Sequence, residues 1–388
     1  MASAHAERQL ILLSAGTLDR RRYMREYARR LTDDVDWDLL AVTLSRRKLM
    51  PVLGPRILDL AQGRASQEFA TRVEHTIEGA SRQGAFLLLI GERVMSALGA
   101  AGIRSSPLKG PLLGQAIYGD HGMRLSTDID LLVGPEQLNV AVEVVRGLGY
   151  IPPNDHVERS GLPRIHYALV HNEAKLPPVE LHWRIHWYEG RFAYERLLSP
   201  PRAPVGAWRP APVDEFAALL LFYARDGFAD LRLATDLGAW WDRFGADLPV
   251  GAIDELISTY PALGRAIRVA IRVVEKTVGI PAVQVMEHPP RPGIRDRMAE
   301  RLANPNPGAS RSQLHANTGF IDGLLTPPGG FVAFVRRYIL LPRDVFDRYA
   351  QSPEWRPRSP LEYCFRILAR YVLSAIQAVR GPETLHGT

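Results

Sequence analysis

A chain of 388 residues can bury a large core and hold two or three domains. Apolar and charged fractions of 46% and 23% exclude global disorder, and a net charge of +6 suits an anionic substrate such as a nucleotide without defining a nucleic-acid binder. The single Cys364 excludes a disulfide framework and a cysteine-built zinc site, and neither a signal-peptide pattern nor an apolar run of the about 18–20 residues a membrane span requires is found, so a cytoplasmic protein is expected.

Residues 1–83 read as helical. Segments are expected over Arg8–Ala15, Leu18–Leu31, Val35–Leu49, Arg56–Gln62 and Ser66–Ser81, with Pro51 and Pro55 as punctuation. The second carries Arg20, Arg21, Arg22, Arg25, Arg29 and Arg30 against Asp19 and Glu26 alone. Such a cluster invites a nucleic-acid reading, but only Tyr23 and Tyr27 offer stacking surfaces, which favours a solvated bundle face. Residues 84–102 form a strongly apolar helix, taken as the first element of a second region.

A strand-like piece, Ile103–Leu108, ends at Lys109-Gly110, and a helix opens at Pro111, a favoured first-turn residue, running to Tyr118-Gly119-Asp120. Thr127–Val133 is apolar and β-favouring except for two aspartates. A helix from Glu136 to Leu148 follows Gly134-Pro135. Ile165–His171 and Pro178–Trp187, joined by Asn172–Pro177, read as a hairpin. Alternating helices and strands with a hairpin at one end imply a small sheet covered by helices.

From 201 a Pro-rich linker leads into helices over Asp214–Asp226, Arg232–Phe244, Ile253–Tyr260 and Leu263–Val278. Asp236 in this region is expected to be a helix-surface acid. Residues 287–330, rich in Pro, Gly, Asn and Arg, read as a long loop or flexible crossing segment. Phe331–Tyr349, interrupted at Pro342, and Leu361–Val379 return as amphipathic helices. Their interleaved arginines and aromatics suit packing onto the bundle better than a membrane surface or a docked partner. The expected organisation is therefore α+β: an N-terminal helical region over 1–83, a small mixed-sheet core over 84–200, and a C-terminal helical domain over 201–388 with a flexible 287–330 segment.

The chemistry concentrates in the core. Side chains alternate along a strand, so Asp128 and Asp130 share a face, about 6–7 Å apart, opposite Ile129, Leu131 and Val133. A buried carboxylate pair requires positive charge beside it, and Mg2+ is the simplest candidate. Gly110 lets backbone approach a ligand closely, and the helix N-terminus behind it favours an anion. Of the four lysines, Lys48, Lys109, Lys175 and Lys276, one lies in this turn. A phosphate-binding turn facing a metal-binding strand is the arrangement of metal-assisted phosphoryl or nucleotidyl transfer. In Val179–His186 the residues Glu180, His182, Arg184 and His186 share one strand face, so Glu180 either completes a three-carboxylate site or pairs with Arg184 on an exposed hairpin. His182 and His186 lie about 13 Å apart on a strand, and no His-Glu-x-x-His pattern is present, which argues against zinc.

Leu108-Lys109-Gly110, the helix ending in Tyr118-Gly119-Asp120, and Arg124-x-Ser126-x-Asp128-Ile129-Asp130-Leu131-Leu132-Val133 resemble the uncharacterised nucleotidyltransferase-like family of the polymerase-β-type nucleotidyltransferase superfamily. The likeness covers roughly the middle third of the chain. Lys109 before the glycine, Pro111 after it and the long gap to Asp128 depart from the superfamily and fit the narrower family. The resemblance implies a nucleotidyltransferase-like core, a third carboxylate at Glu180 in the Glu-Leu-His-Trp-Arg context, phosphate contacts from Lys109 and Gly110, and triphosphate contacts from Arg124 and Ser126. The expected enzyme is a Mg2+-dependent nucleotidyltransferase that uses an NTP and an unidentified acceptor, whether peptide, small molecule or RNA. Open alternatives are a tailoring kinase acting on a peptide or small molecule, a toxin-type RNA-modifying protein, and a non-catalytic nucleotide-binding protein.

Overall fold

The computed structural model describes residues 2–152, 165–173, 175–200, 209–287, 289–303, 311–340 and 359–380. Among them five short strands form one sheet: β1 (Ser105–Pro107), β2 (Ile129–Val133), β3 (Tyr150–Ile151), β4 (His166–His171) and β5 (Val179–His182), in the order β1-β2-β5-β4-β3. β2 runs parallel to β5 and every other pairing is antiparallel. The expected hairpin is β4–β5, and its second strand stops at His182 rather than Trp187. The two-residue β3 carries too short a pattern to be read from sequence.

The two sheet faces have opposite chemistry. Ile129, Leu131, Val133, Leu169, Val179 and Leu181 pack into one core with Leu87, Val94 and Leu98 of helix Gln67–Ala100 and with Ala141 and Val145 of helix Leu138–Gly147. Burying such side chains contributes about 1.5–3 kcal/mol each, which fixes the register of β2 on β5 and of β4 on β5. The opposite face carries Asp130, Leu132, Glu180, His182 and His166. Leu132 there joins a second core that contains Phe216, Leu220 and Phe222 of helix Pro212–Arg225 and also Leu40, Leu53 and Phe69 from the first 70 residues. The N-terminal and C-terminal helices therefore share one core.

Several helices differ from expectation. The segments expected over Ser66–Ser81 and 84–102 form a single helix, Gln67–Ala100, capped by the Ser66 hydroxyl, which accepts from the Phe69 N–H. Gly84 sits inside it because a Cβ there would stand 2.8 Å from His121; it serves close approach, not termination. The expected region boundary at 83/84 thus falls within continuous helix. The arginine-rich segment breaks at Met24 into Leu18–Tyr23 and Arg25–Leu31. Met50–Ala61 begins earlier than expected, with Pro51 in its first turn and Pro55 inside it.

The described residues of the 287–330 stretch are largely helical rather than a long loop. Ile294–Leu302 and Arg311–Leu325 are helices. The first buries Ala299 and Leu302, and its Glu300 pairs with Arg272 and with Lys276, the latter at 2.8 Å, so ion pairs replace the missing apolar period. Phe331–Tyr338 and Pro360–Arg380 meet through Phe334, Tyr363, Ile367 and Tyr371, while Phe331 and Phe365 remain exposed. The expected Phe331–Tyr349 helix beyond 340 and most of the Pro-rich linker lie outside the described residues. No helix among the described residues is long and apolar enough to cross a membrane.

Candidate functional site

The polar face of the sheet is built by register. β2 and β5 pair so that Asp130 stands directly opposite Glu180, and β4 and β5 so that His166 stands opposite His182. Asp128 immediately precedes β2 and is partly buried. Ala168 stands across from Glu180 on the other side.

Asp130 is almost fully enclosed, and two groups of the protein hold its carboxylate. His182 Nε2 lies 2.9 Å from Asp130 Oδ1, and Lys109 Nζ lies 3.4 Å from Oδ2. Burial alone would raise the Asp130 carboxyl, but the His182 hydrogen bond, Lys109 and Arg124 outweigh it and hold it far below the usual carboxylate range. Lys109, the turn lysine, also rests over the Phe222 ring at 4.7 Å. Asp128 has the opposite balance. Burial and the nearby Asp130 and Glu180 push its carboxyl up, with Lys109 and Lys48 only partly offsetting them.

Glu180 faces the two imidazoles: its Oε2 is 3.4 Å from His182 Nε2 and 3.8 Å from His166 Nδ1. Burial favours the neutral acid, but the His182 hydrogen bond and His166 prevail, so the Glu180 carboxyl is lowered. His166 is pushed down to about 4 by burial and then by His182, and is neutral near neutral pH. The histidine that sequence reading considered beside His182 was His186; the structure instead brings His166 alongside. His186 is buried beyond the end of β5 and bridges to Glu189.

Gly110 closes β1's far end with φ +88° and ψ −154°, a conformation only glycine adopts readily, and it caps helix Pro111–Tyr118. Lys109, Gly110, Asp128 and Asp130 line one cleft, with Leu88 and Gly91 of the long helix on its other wall. The turn and the aspartate strand are therefore brought together as the sequence suggested. Glu180 lies beside Asp130 but is not part of that lining.

Arg124 and Ser126 are placed differently from an open phosphate grip. Arg124 Nε donates to Asp236 Oδ2 at 2.8 Å and its Nη1 donates to Ser126 Oγ at 3.1 Å, with the Arg124 and Asp236 side chains 3% and 1% exposed. Tyr118 donates to Asp236 Oδ1 at 2.8 Å. Asp236 is thus not a surface acid; it is the buried acceptor that ties helix Pro111–Tyr118 and the approach to β2 onto helix Leu231–Phe244. Arg232 of that helix adds a second tie, donating to the Leu125 carbonyl at 3.0 Å. Lys48 supplies a third: its Nζ donates to Thr127 Oγ1 at 3.1 Å, and burial, then Arg232, lowers its ammonium pKa. Residues far from the sheet in sequence, Lys48, Arg232 and Asp236, therefore fix the entrance to β2. Only the rarity of lysine could have drawn attention to Lys48.

A glycine turn at a helix start, beside carboxylates on adjoining parallel strands of a small mixed sheet, is an α+β arrangement consistent with a nucleotidyltransferase-like core. The chain belongs to the family described as uncharacterised nucleotidyltransferase, whose sequence model matches residues 33–279. The match extends well beyond the middle third and includes Lys48, Arg232 and Asp236 along with the sheet. No curated protein and no solved structure matches the chain.

Proposed function

We propose that the protein catalyses Mg2+-dependent nucleotidyl transfer, moving a nucleoside monophosphate from an NTP to an acceptor hydroxyl. The observation that carries this reading is the parallel register of β2 on β5, which sets Asp130 opposite Glu180 with Asp128 just upstream, next to the Lys109-Gly110 turn. Asp128, Asp130 and Glu180 would hold the ion, and their hard oxygen donors suit Mg2+. Asp128 supports that fit, because burial and two neighbouring carboxylates leave it short of positive charge. When bound, the ion supplies Lewis-acid polarisation of the phosphoryl oxygens.

The remaining roles fall to the chain itself. The Gly110 turn and the first-turn amides behind it receive the phosphates, and Lys109 and Lys48 add neutralising charge. Glu180, whose lowered pKa keeps it ionised, takes the acceptor hydroxyl's proton as that oxygen bonds to the α-phosphorus; the bond from the α-phosphorus to the bridging oxygen breaks and pyrophosphate leaves. Arg124 and Ser126 hold the entrance to β2 through Asp236 rather than gripping the triphosphate directly.

Incubation with Mg2+ and each of the four NTPs, against peptide, small-molecule and RNA acceptor pools, tests the proposal by the mass added to the acceptor. A nucleoside monophosphate increment is expected. A phosphate increment would assign the site to a kinase. Nucleotide binding without transfer to any pool would assign it to a binding protein.

A further inference from the structure

We propose that His166, Glu180 and His182 form a binding site for a borderline transition-metal ion such as Zn2+, distinct in its donor set from the oxygen site of Asp128 and Asp130. The argument rests on geometry. One ligand atom from each of the three residues lies within 4.8 Å of the other two, the only such trio among the described residues. Around a tetrahedral ion with bonds of about 2.0–2.1 Å, ligand atoms stand about 3.3 Å apart. The Glu180 Oε2 to His182 Nε2 distance of 3.4 Å matches that edge, and Glu180 Oε2 to His166 Nδ1 at 3.8 Å needs only a small closure.

Preorganisation supports the same conclusion. His166 and His182 are cross-strand partners with ring centroids 4.9 Å apart, so the backbone ladder already pays the entropy of bringing the two imidazoles together. His182 is 1% exposed, and His166 Nδ1, the atom that faces Glu180, is buried without a hydrogen-bond partner. Buried imidazole nitrogens usually find partners, and this one, 3.8 Å from the Glu180 carboxylate, is placed for a ligand. Two imidazole nitrogens and one carboxylate leave a tetrahedral position open for water or substrate, a donor set that favours Zn2+ or Co2+ over Mg2+. The His182 nitrogen that faces Glu180 is also the one bonded to Asp130, so ligation by Nε2 exchanges that hydrogen bond for the ion and leaves Asp130 Oδ1 bordering the site.

Glu180 is shared with the proposed transfer reaction, but the metal site does not depend on that reaction. Binding is therefore measured without nucleotide or acceptor. The full chain, stripped with chelator, is dialysed against Zn2+, Co2+ or Mg2+, and bound metal is quantified; Co2+ ligand-field absorption reports nitrogen ligation. The expected result is one Zn2+ or Co2+ per chain lost in His166→Ala, with affinity reduced at least tenfold, and no displacement by Mg2+ at equal concentration. His166 lies at the hairpin's partly exposed side, and His166→Gln serves as a second variant should the alanine protein prove poorly folded. Zn2+ binding equal in wild type and both variants, or displacement by equimolar Mg2+, would overturn the site. Failure of transfer alone leaves this readout untouched.

Discussion

Replacing Asp236 by alanine should destabilise the protein severely, although the residue lies on a helix far in sequence from the sheet. Its carboxylate accepts from Arg124 and Tyr118, both at 2.8 Å, in a setting where the Arg124 and Asp236 side chains are 3% and 1% exposed. The variant leaves a buried guanidinium without its counter-charge and a buried phenol without its acceptor. Breaking such a pair costs about 3–5 kcal/mol, a large part of the roughly 5–15 kcal/mol by which a typical protein is stable. With an unfolding entropy of about 2.1 cal/mol/K per residue, a chain of 388 residues melting as one unit loses about 4–6 °C in Tm. Thermal melting followed by circular dichroism measures the shift. A double-mutant cycle sharpens it: Arg124→Met with Asp236→Leu should be closer to wild type than Asp236→Ala, because no charge is left buried alone. A Tm change below about 1 °C for Asp236→Ala, or strictly additive effects in the cycle, would refute the view that this pair anchors the approach to β2.

Three further outcomes follow from the site. Asp128→Asn should raise Tm in the absence of divalent ions, because a carboxyl with a raised pKa contributes stability at low pH that is lost as pH rises through its folded value; a lower Tm would contradict the crowding of carboxylates there. Gly110→Ala has open space, with Ser126 Oγ nearest at 3.9 Å, yet should cost about 1–3 kcal/mol in denaturant unfolding through backbone strain alone. In metal-free protein His166 should titrate near pH 4 by NMR, so stability should decline as pH falls from about 6.5, where the unfolded chain takes up a proton and the native one does not; a midpoint near 6.5 would show the ring to be solvated.

What was legible in the sequence was local. The alternation across Asp128–Val133, the glycine before Pro111 and the two runs of the hairpin each declare themselves within ten residues, and the structure places a strand, a helix cap and a β-ladder there. What was not legible depends on register and distance. Glu180 is expected near the aspartates, but its exact place opposite Asp130 is set by two apolar strands sharing one buried face, and His166 meets His182 because the hairpin loop sets which residues pair. Asp236 looks like a surface acid until Arg124, 112 residues away, is brought against it. The helices expected over Ser66–Ser81 and 84–102 run together, and Gly84 near their join admits His121. Ile294–Leu302 hides its helix because Glu300 and its basic partners, rather than an apolar stripe, hold it in place.

The central claim is that carboxylates on neighbouring strands act together on one triphosphate. Transfer of α-labelled nucleotide in Mg2+ by Asp130→Asn and Glu180→Gln, each verified as folded, tests it most directly. A fall of about 10²–10³-fold or more in both is the result expected. Label transferred at the wild-type rate by either protein would contradict the claim.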